Sequence, residues 1–315
     1  MTRGAFTDPA RGGRVVPYKI YYPAGLTRPV PVIIWSHGFG GNRDGAGFIS
    51  RYVAAHGYII AHLTHVGSDS SLWEGQPGHP WEVLRKISIN RTMTLNRFAD
   101  VSFAVDQLQA FAQNGAQDAA QHGAGSNSEI GPFMDFTRLG MSGHSFGAMT
   151  TQAMAGQYFP DEDDQLRSYR DARFQAGILY SPVPIRKLTA ESPEPHIYGP
   201  IEIPLFHMTG TGDDSPLEGF GYDRRVAVYD HSHRADKYLL IKNDGDHMVY
   251  NGTRGQLAAN PLRPLHENMI KMTSLAFWDA YLKDDSQAMA WLRDGRVEAF
   301  LGSDARYQFS PGHVV

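Results

Sequence analysis

Short apolar runs alternate with longer amphipathic stretches along most of the chain. Continuous apolar runs are typical of strands that are buried on both faces of a sheet, and apolar spacings of three and four residues predict helices that bury one face. The runs predict strands over residues 31–36, 58–63, 137–141, 174–180, 203–208 and 237–242, and the amphipathic stretches predict helices over residues 44–56, 92–111, 146–158 and 264–282. This alternation favours an α/β fold with a mostly parallel central sheet flanked by helices.

The remaining segments are less regular. Residues 14–22 are rich in β-forming side chains but contain Pro17, which favours an edge strand. Residues 64–90 read as an irregular, lid-like insertion, and residues 114–135 as a polar, glycine-rich connection. No repeat or low-complexity linker interrupts the chain, so a single domain is expected over residues 1–315, with a core at about 14–283 and an extension over 284–315 that includes a docked terminal helix.

Charge and composition exclude several classes of protein. Lys and Arg number 29 and Asp and Glu 33, for a net charge of −4, and this balance disfavours a nucleic-acid partner. Cysteine is absent, which excludes disulfides, thiolate metal sites and a cysteine nucleophile. No apolar stretch approaches the roughly 20 residues of a membrane span, and the first residues lack a signal peptide. We therefore expect a cytoplasmic protein as the sequence is written, or a secreted one if a signal was trimmed; the oligomeric state stays open.

A candidate nucleophile lies in the segment Gly143-His144-Ser145-Phe146-Gly147, which follows a predicted strand and precedes a predicted helix. This G-x-S-x-G pattern is typical of a sharp strand-to-helix turn that lifts the serine hydroxyl above the sheet edge. Glycine is needed on both sides because a side chain there would collide with neighbouring backbone. The alternative is an ordinary serine that caps a helix.

The segment His37-Gly38-Phe39-Gly40-Gly41 follows the strand at 31–36 and is a candidate second half of the site. An oxyanion hole needs two backbone N–H groups that converge on one point. The N–H of Phe146, directly after the serine, and that of Phe39 are the predicted pair. The alternative is a common glycine-rich loop.

An acid and a base are expected on later strand ends, in that order along the chain. The strand at 203–208 leads into Asp213 and Asp214, and the strand at 237–242 leads into His247. Open α/β sheets place their sites at the carboxyl ends of parallel strands. His247 is the predicted general base, and either aspartate can serve as the acid. Asp246 is a weaker choice because it is too close in sequence to His247.

Together, the segments HGFGG, GHSFG, GTGDD and GDH resemble those of α/β-hydrolases, over about residues 14–283. The nearest subgroup is the dienelactone-hydrolase-like esterases, which are related to platelet-activating-factor acetylhydrolases and cutinase-like enzymes. The resemblance implies an α/β-hydrolase fold and ester hydrolysis through an acyl-serine. In relatives with a G-T-x-D-D turn the first aspartate is the acid, which favours Asp213, whereas in relatives with a longer turn the acid directly precedes Ser or Thr, as Asp214 does here. True dienelactone hydrolases use cysteine, so their substrate is not carried over.

Three further residues are predicted to bind substrate, namely Trp73 and Trp81 in the irregular insertion and Val183 after the strand at 174–180. The two tryptophans are equally suited to anchoring their loop. No cofactor is expected because no nucleotide-binding glycine motif follows a strand. No metal is expected either: His62 and His65 face opposite sides of a strand, and His231 and His233 lack a third ligand.

The sequence therefore predicts a serine carboxylic-ester hydrolase with the triad Ser145, Asp213 and His247, acting on a small-molecule or polymeric ester. One alternative is a lipase, phospholipase or polyester hydrolase with the same triad. Another is a catalytically silent binding protein, because fold alone does not fix function.

Overall fold

The computed structural model describes residues 1–122, 130–185, 194–217, 219–252 and 259–313. Within them the strands are β1 (Thr2–Asp8), β2 (Arg14–Tyr21), β3 (Val30–Ser36), β4 (Ile59–Leu63), β5 (Met134–His144), β6 (Tyr158–Pro160), β7 (Leu166–Ser168), β8 (Phe174–Tyr180), β9 (Leu205–Gly212), β10 (Lys237–Asp246) and β11 (Ala305–Ser310). The helices are α1 (Gly47–Ala55), α2 (Pro80–Leu84), α3 (Arg91–His122), α4 (Phe146–Ala155), α5 (Glu194–Tyr198), α6 (Tyr222–His231), α7 (Arg263–Leu282), α8 (Ser286–Trp291) and α9 (Arg296–Leu301).

Nine of the strands form one sheet in the order β1-β2-β4-β3-β5-β8-β9-β10-β11, and β6 and β7 form a separate hairpin. Six neighbouring strands of this sheet are parallel, namely β4, β3, β5, β8, β9 and β10. β1, β2 and β11 pair antiparallel with their neighbours. The predicted α/β class with a mostly parallel sheet is thus confirmed. The carboxyl ends of the parallel strands lie along a single edge, where the candidate site residues follow them.

Helices cover both faces of the sheet, and β3 shows how the two cores arise. Val32 and Ile34 pack into the core that contains α3 and α4, while Ile33 and Trp35 pack into the core that contains α1 and α7. All seven residues of β3 are buried. A strand with apolar contacts on both faces reads as a continuous apolar run, which is why this one was visible in the sequence.

The sequence predicts an edge strand over residues 14–22, and the structure corrects this interpretation. β2 lies between β1 and β4, so β1 forms the edge. The carbonyl of Pro17 accepts a bond from the N–H of Thr64, just where the pairing of β2 with β4 ends. The N–H and the carbonyl of a strand residue point to the same side, so the N–H that proline lacks would face β4, and the pairing of β1 with β2 loses no bond.

Several predicted boundaries also change. The helix predicted over 146–158 ends at Ala155, because Gly156 has a φ of 122° and a side chain there would come within 2.7 Å of the Pro200 carbonyl oxygen. The backbone of α3 continues to residue 122, into the segment predicted as a connection over 114–135, of which residues 123–129 lie outside the described ranges. The insertion over 64–90 contains the short helix α2.

Both ends of the chain contribute to the sheet. β1 precedes the predicted core range and β11 follows it, and the extension also supplies α8 and α9. Across the described part of the chain, no helix combines the length and apolar character that crossing a membrane requires.

Candidate functional site

Ser145 occupies a strained turn between β5 and α4. Its φ is 56° and its ψ is −116°, a backbone conformation that residues with a side chain rarely adopt. A Cβ at Gly143 would lie 2.3 Å from the carbonyl oxygen of Gly147, and a Cβ at Gly147 would lie 1.9 Å from that of Ser36. The turn therefore requires glycine at both positions and presents the half-buried Ser145 at the sheet edge.

A chain of hydrogen bonds joins Ser145, His247 and Asp213. Ser145 Oγ lies 3.1 Å from His247 Nε2, and His247 Nδ1 lies 2.7 Å from Asp213 Oδ1. The other carboxylate oxygen, Oδ2, accepts bonds from the hydroxyls of Ser181 at 2.6 Å and Thr209 at 2.9 Å. Because the Asp213 carboxylate accepts a hydrogen bond from Nδ1, the proton of the neutral His247 ring is on Nδ1. Nε2 is then unprotonated and can accept the hydroxyl proton of Ser145.

Close contact between β9 and β10 brings the acid and the histidine together. A Cβ at Gly210 would lie 2.3 Å from the carbonyl oxygen of Gly245, so the two strand ends approach more closely than side chains would allow. Asp213 lies three residues after Gly210, and His247 lies two residues after Gly245. Asp213 is fully buried, whereas Asp214 is exposed to solvent, so the structure brings Asp213 rather than Asp214 to the imidazole.

Burial sets the charge states of this pair. Burial lowers the pKa of His247, the Asp213 carboxylate opposes this effect, and the guanidinium of Arg225 adds to it. Burial alone would raise the pKa of Asp213, but Arg225, His247 and the hydrogen bond from Ser181 outweigh it and leave the pKa below its usual value. At neutral pH, therefore, the aspartate is ionised and the imidazole is neutral, the states that a general base requires.

His144 and Asp246 lie next to this chain of hydrogen bonds and have different roles. His144 Nε2 donates to the carbonyl oxygen of His247 at 2.8 Å, and the two rings lie 4.7 Å apart. Asp246 accepts from the N–H of Met248 and from the side chain of Asn260, so it stabilises the turn around His247. Both residues hold the loop that carries the imidazole.

The segments that carry the two predicted oxyanion donors, the N–H groups of Phe39 and Phe146, both adjoin Ser145. A Cβ at Gly38 would lie 3.4 Å from Ser145 Cβ, so the glycine-rich turn packs directly against the serine. Phe146 is the first residue of α4, and its N–H therefore has no carbonyl partner one turn back in that helix. Among the described residues, the N–H of Phe39 makes no backbone hydrogen bond.

A cavity of about 630 Å³ opens in front of Ser145 and His247. Trp73, Trp81 and Val183, the residues predicted to bind substrate, all line it. The indole N–H of Trp73 also donates to the carbonyl oxygen of Gly40 at 2.7 Å, so this side chain both lines the cavity and anchors its loop. The wall also includes the apolar side chains of Phe39, Leu84, Ile89, Phe146, Met149, Phe159, Ile185, Leu217, Phe220 and Met248.

The histidine pairs considered for metal binding lie elsewhere. His62 Nε2 is bonded to Ser50 at 2.6 Å, and His65 is bonded to Ser36 and Asp100. His233 lies 3.4 Å from the amine of Lys237. No group of three or more histidines and carboxylates suited to a metal ion occurs in the described ranges.

A second buried network, which the sequence did not reveal, lies under the glycine-rich turn. Ser36 Oγ is 2.9 Å from His65 Nε2, and His65 Nδ1 is 3.1 Å from Asp100 Oδ2. Arg97, also fully buried, donates to Ser36 Oγ and to the carbonyl oxygen of His37. We name this group, Ser36, His65, Asp100 and Arg97, the buried network. Its members come from β3, α3 and the loop after β4, and no short sequence motif joins them.

Arg225 is the other site residue that the sequence did not reveal. It lies on α6, a helix that the hydrophobic pattern did not predict, and its side chain reaches both Asp213 and His247. No spacing rule connects an arginine to a triad that is assembled from distant strand ends.

The sequence matches no known protein-family model.

Proposed function

We propose that the protein is a serine hydrolase of carboxylic esters with an α/β-hydrolase fold. The observation that carries this proposal is the chain of hydrogen bonds from Ser145 through His247 to the buried Asp213, which begins at a strained turn and opens into a cavity. The order nucleophile, acid, histidine along the chain is the order found in α/β-hydrolases. Together these features support acyl transfer to water.

In the proposed reaction His247 Nε2 takes the hydroxyl proton of Ser145 as Oγ attacks the ester carbonyl carbon. The N–H groups of Phe39 and Phe146 donate to the oxyanion that forms. Protonated His247 then gives its proton to the leaving alkoxide, which departs as the alcohol. A water molecule repeats the sequence on the acyl-serine, and the acid is released with Ser145 regenerated. Asp213 stays ionised throughout and stabilises the imidazolium.

The cavity supports soluble, compact esters in preference to polymers. Its wall includes side chains from the insertion, such as Trp81 and Leu84, and from the opposite loops, such as Val183 and Leu217. A cavity bounded on several sides encloses a small ester, whereas an insoluble polyester or a lipid surface needs an open groove. Mostly apolar walls favour an uncharged acyl group.

Labelling with a fluorophosphonate followed by intact-mass measurement tests the nucleophile. We expect a single added phosphonyl group on the wild type and none on Ser145→Ala. A second test compares p-nitrophenyl esters of increasing acyl length with a polyester film, and we expect faster turnover on the short soluble esters. A wild type that gains no mass and cleaves no ester would contradict the proposal and would favour the silent binding protein.

A further inference from the structure

The side chain of Arg225 is packed against the two partners of Ser145. Its exposed fraction is 1%, and it extends from α6 toward the sheet edge. Nε donates to the carbonyl oxygen of Asp213 at 2.9 Å, and Nη1 donates to the carbonyl oxygen of Pro182 at 3.0 Å. The guanidinium also lies 4.9 Å from the ring centre of Phe220. The two carbonyl oxygens fix the position of the guanidinium but do not neutralise its charge.

The same guanidinium lies beside both polar partners of the imidazole. Nε is 3.1 Å from Asp213 Oδ1, and Nη2 is 3.2 Å from His247 Nδ1. Arg225 can donate a hydrogen bond to His247 Nδ1 only if the ring proton is on Nε2. In that tautomer the lone pair of Nδ1 would face the negatively charged carboxylate of Asp213, which is unfavourable. The ionised Asp213, at 2.7 Å, therefore accepts the hydrogen bond from Nδ1–H, and the proton stays on Nδ1 of the ring. Arg225 acts on the ring as a neighbouring charge.

The net charge of Arg225, Asp213 and His247 determines how readily the His247 ring is protonated. With Arg225 present, Asp213 and neutral His247 form a group with no net charge, and protonation of the ring makes it +1. Without the arginine the same protonation takes the buried pair from −1 to zero, which is easier in a poorly solvated site. Arg225 therefore opposes protonation of the ring while it keeps the carboxylate ionised.

Other groups packed around His247 do not replace this effect. His144, from the end of β5, is buried and neutral and bonds to the His247 backbone. Asp246, on β10, is used in the turn, and Lys242, also on β10, bonds to the carbonyl oxygen of Thr209 and to the hydroxyl of Tyr250. Of the described charged side chains, only those of Asp213 and Arg225 lie within hydrogen-bonding distance of a His247 ring nitrogen, and only Asp213 accepts a hydrogen bond from the ring.

We propose that Arg225 is a positioning residue that fixes Asp213 against His247 and supplies the positive charge that keeps the imidazole neutral in mildly acidic solution. The inference rests on the proposed function only for its kinetic readout. Its consequence is that ester hydrolysis persists to lower pH than a triad without such a charge would allow.

The test compares Arg225→Met with wild type in the pH profile of kcat/KM for p-nitrophenyl butyrate. Loss of a charge at this distance should raise the midpoint of the profile by about one pH unit or more, which lowers kcat/KM about tenfold at pH values below both midpoints. Arg224→Met is the matched control: it removes the same charge from the exposed neighbour on α6 and should leave the midpoint unchanged. A merely structural role for Arg225 would lower the plateau or the melting temperature without moving the midpoint.

If Arg225→Met does not fold, Arg225→Gln is the second neutral variant. Its amide removes the charge but keeps a donor for the carbonyl oxygen of Asp213. NMR titration of the His247 ring, assigned with His247→Asn, gives the same midpoint without any substrate. An unchanged His247 midpoint in a folded neutral variant overturns the inference. A wild type that cleaves no ester contradicts the proposed function instead, and the NMR shift still decides the role of Arg225.

Discussion

Two Ser-His-Asp arrangements lie close together in this molecule, and only one of them faces the cavity. The distances are 3.1 and 2.7 Å in Ser145-His247-Asp213, and 2.9 and 3.1 Å in Ser36-His65-Asp100. In both arrangements the aspartate accepts from Nδ1, and Nε2 faces the hydroxyl. Hydrogen-bond geometry alone therefore does not distinguish them.

Access and backbone conformation make the difference. Ser36 lies within a regular strand, is fully buried, and its hydroxyl also accepts a bond from Arg97 at 2.9 Å. Ser145 lies in a left-handed turn at a helix start, beside two candidate oxyanion donors and a cavity of about 630 Å³. The buried network thus uses the same groups to hold the glycine-rich turn, since Arg97 also bonds to the carbonyl oxygen of His37.

The largest expected difference is between the two serines. Ser145→Ala should lower kcat on p-nitrophenyl butyrate by at least about 10⁴-fold, because the nucleophile is lost. Ser36→Ala should lower it by at most about tenfold, and should cost roughly 1–3 kcal/mol of unfolding free energy because Arg97 and His65 each lose a buried partner. Urea unfolding gives the second quantity. Comparable kcat losses in the two variants would contradict the distinction.

Substitution of Asp213 should mainly affect kcat, whereas substitution of Asp100 should mainly affect stability. Asp213→Asn should lower kcat by roughly 10³–10⁴-fold, since the imidazole loses the partner that fixes its tautomer. Asp100→Asn should instead cost about 3–5 kcal/mol of unfolding free energy, because Arg14 and Arg11 are left beside a neutral side chain. The exposed Asp214→Asn is the control and should change neither quantity. A loss of kcat in Asp214→Asn as large as that in Asp213→Asn would remove the assignment of the acid.

The parts of this site that the sequence predicts are those that depend on short-range constraints. A turn that requires glycine on both sides of Ser145 leaves a local pattern, and apolar runs show where Asp213 and His247 follow parallel strands. The choice of Asp213 over Asp214 came from resemblance, because neighbouring residues differ only in how the folded chain buries them. Arg225 and the buried network have no local signature, since their partners come from separate elements. β1 was missed because a half-exposed edge strand lacks a continuous apolar run.

Acid stability should also distinguish the buried network. Burial and the nearby Arg97 lower the pKa of His65 to about 4, from an unfolded value of 6.5. Between these two values the unfolded chain binds a proton that the folded chain does not, so stability falls as the pH drops from 6.5 to about 4 and depends little on this group above 6.5. The contribution is on the order of 3 kcal/mol.

Urea unfolding at pH 7 and pH 4.5 measures this effect. His65→Gln should be less stable at pH 7 but should lose less stability on acidification than wild type. His56→Gln, the same change at an exposed histidine, is the matched control. An acid dependence in His65→Gln as steep as in wild type would mean that other buried histidines, such as His62, account for it.

The smallest expected effect concerns the cavity wall, where the two arrangements meet at the glycine-rich turn. Trp73→Phe keeps an aromatic ring in the cavity but removes the N–H that donates to Gly40 at 2.7 Å. A neutral hydrogen bond of this kind contributes about 1 kcal/mol, so kcat/KM should fall several-fold if the bond holds the turn that carries Phe39. Trp291→Phe, on α8 and away from the cavity, should leave kcat/KM unchanged. A loss confined to KM would assign Trp73 to substrate contact, whereas a loss in kcat would assign it to the position of the turn, because an oxyanion donor acts on the transition state alone.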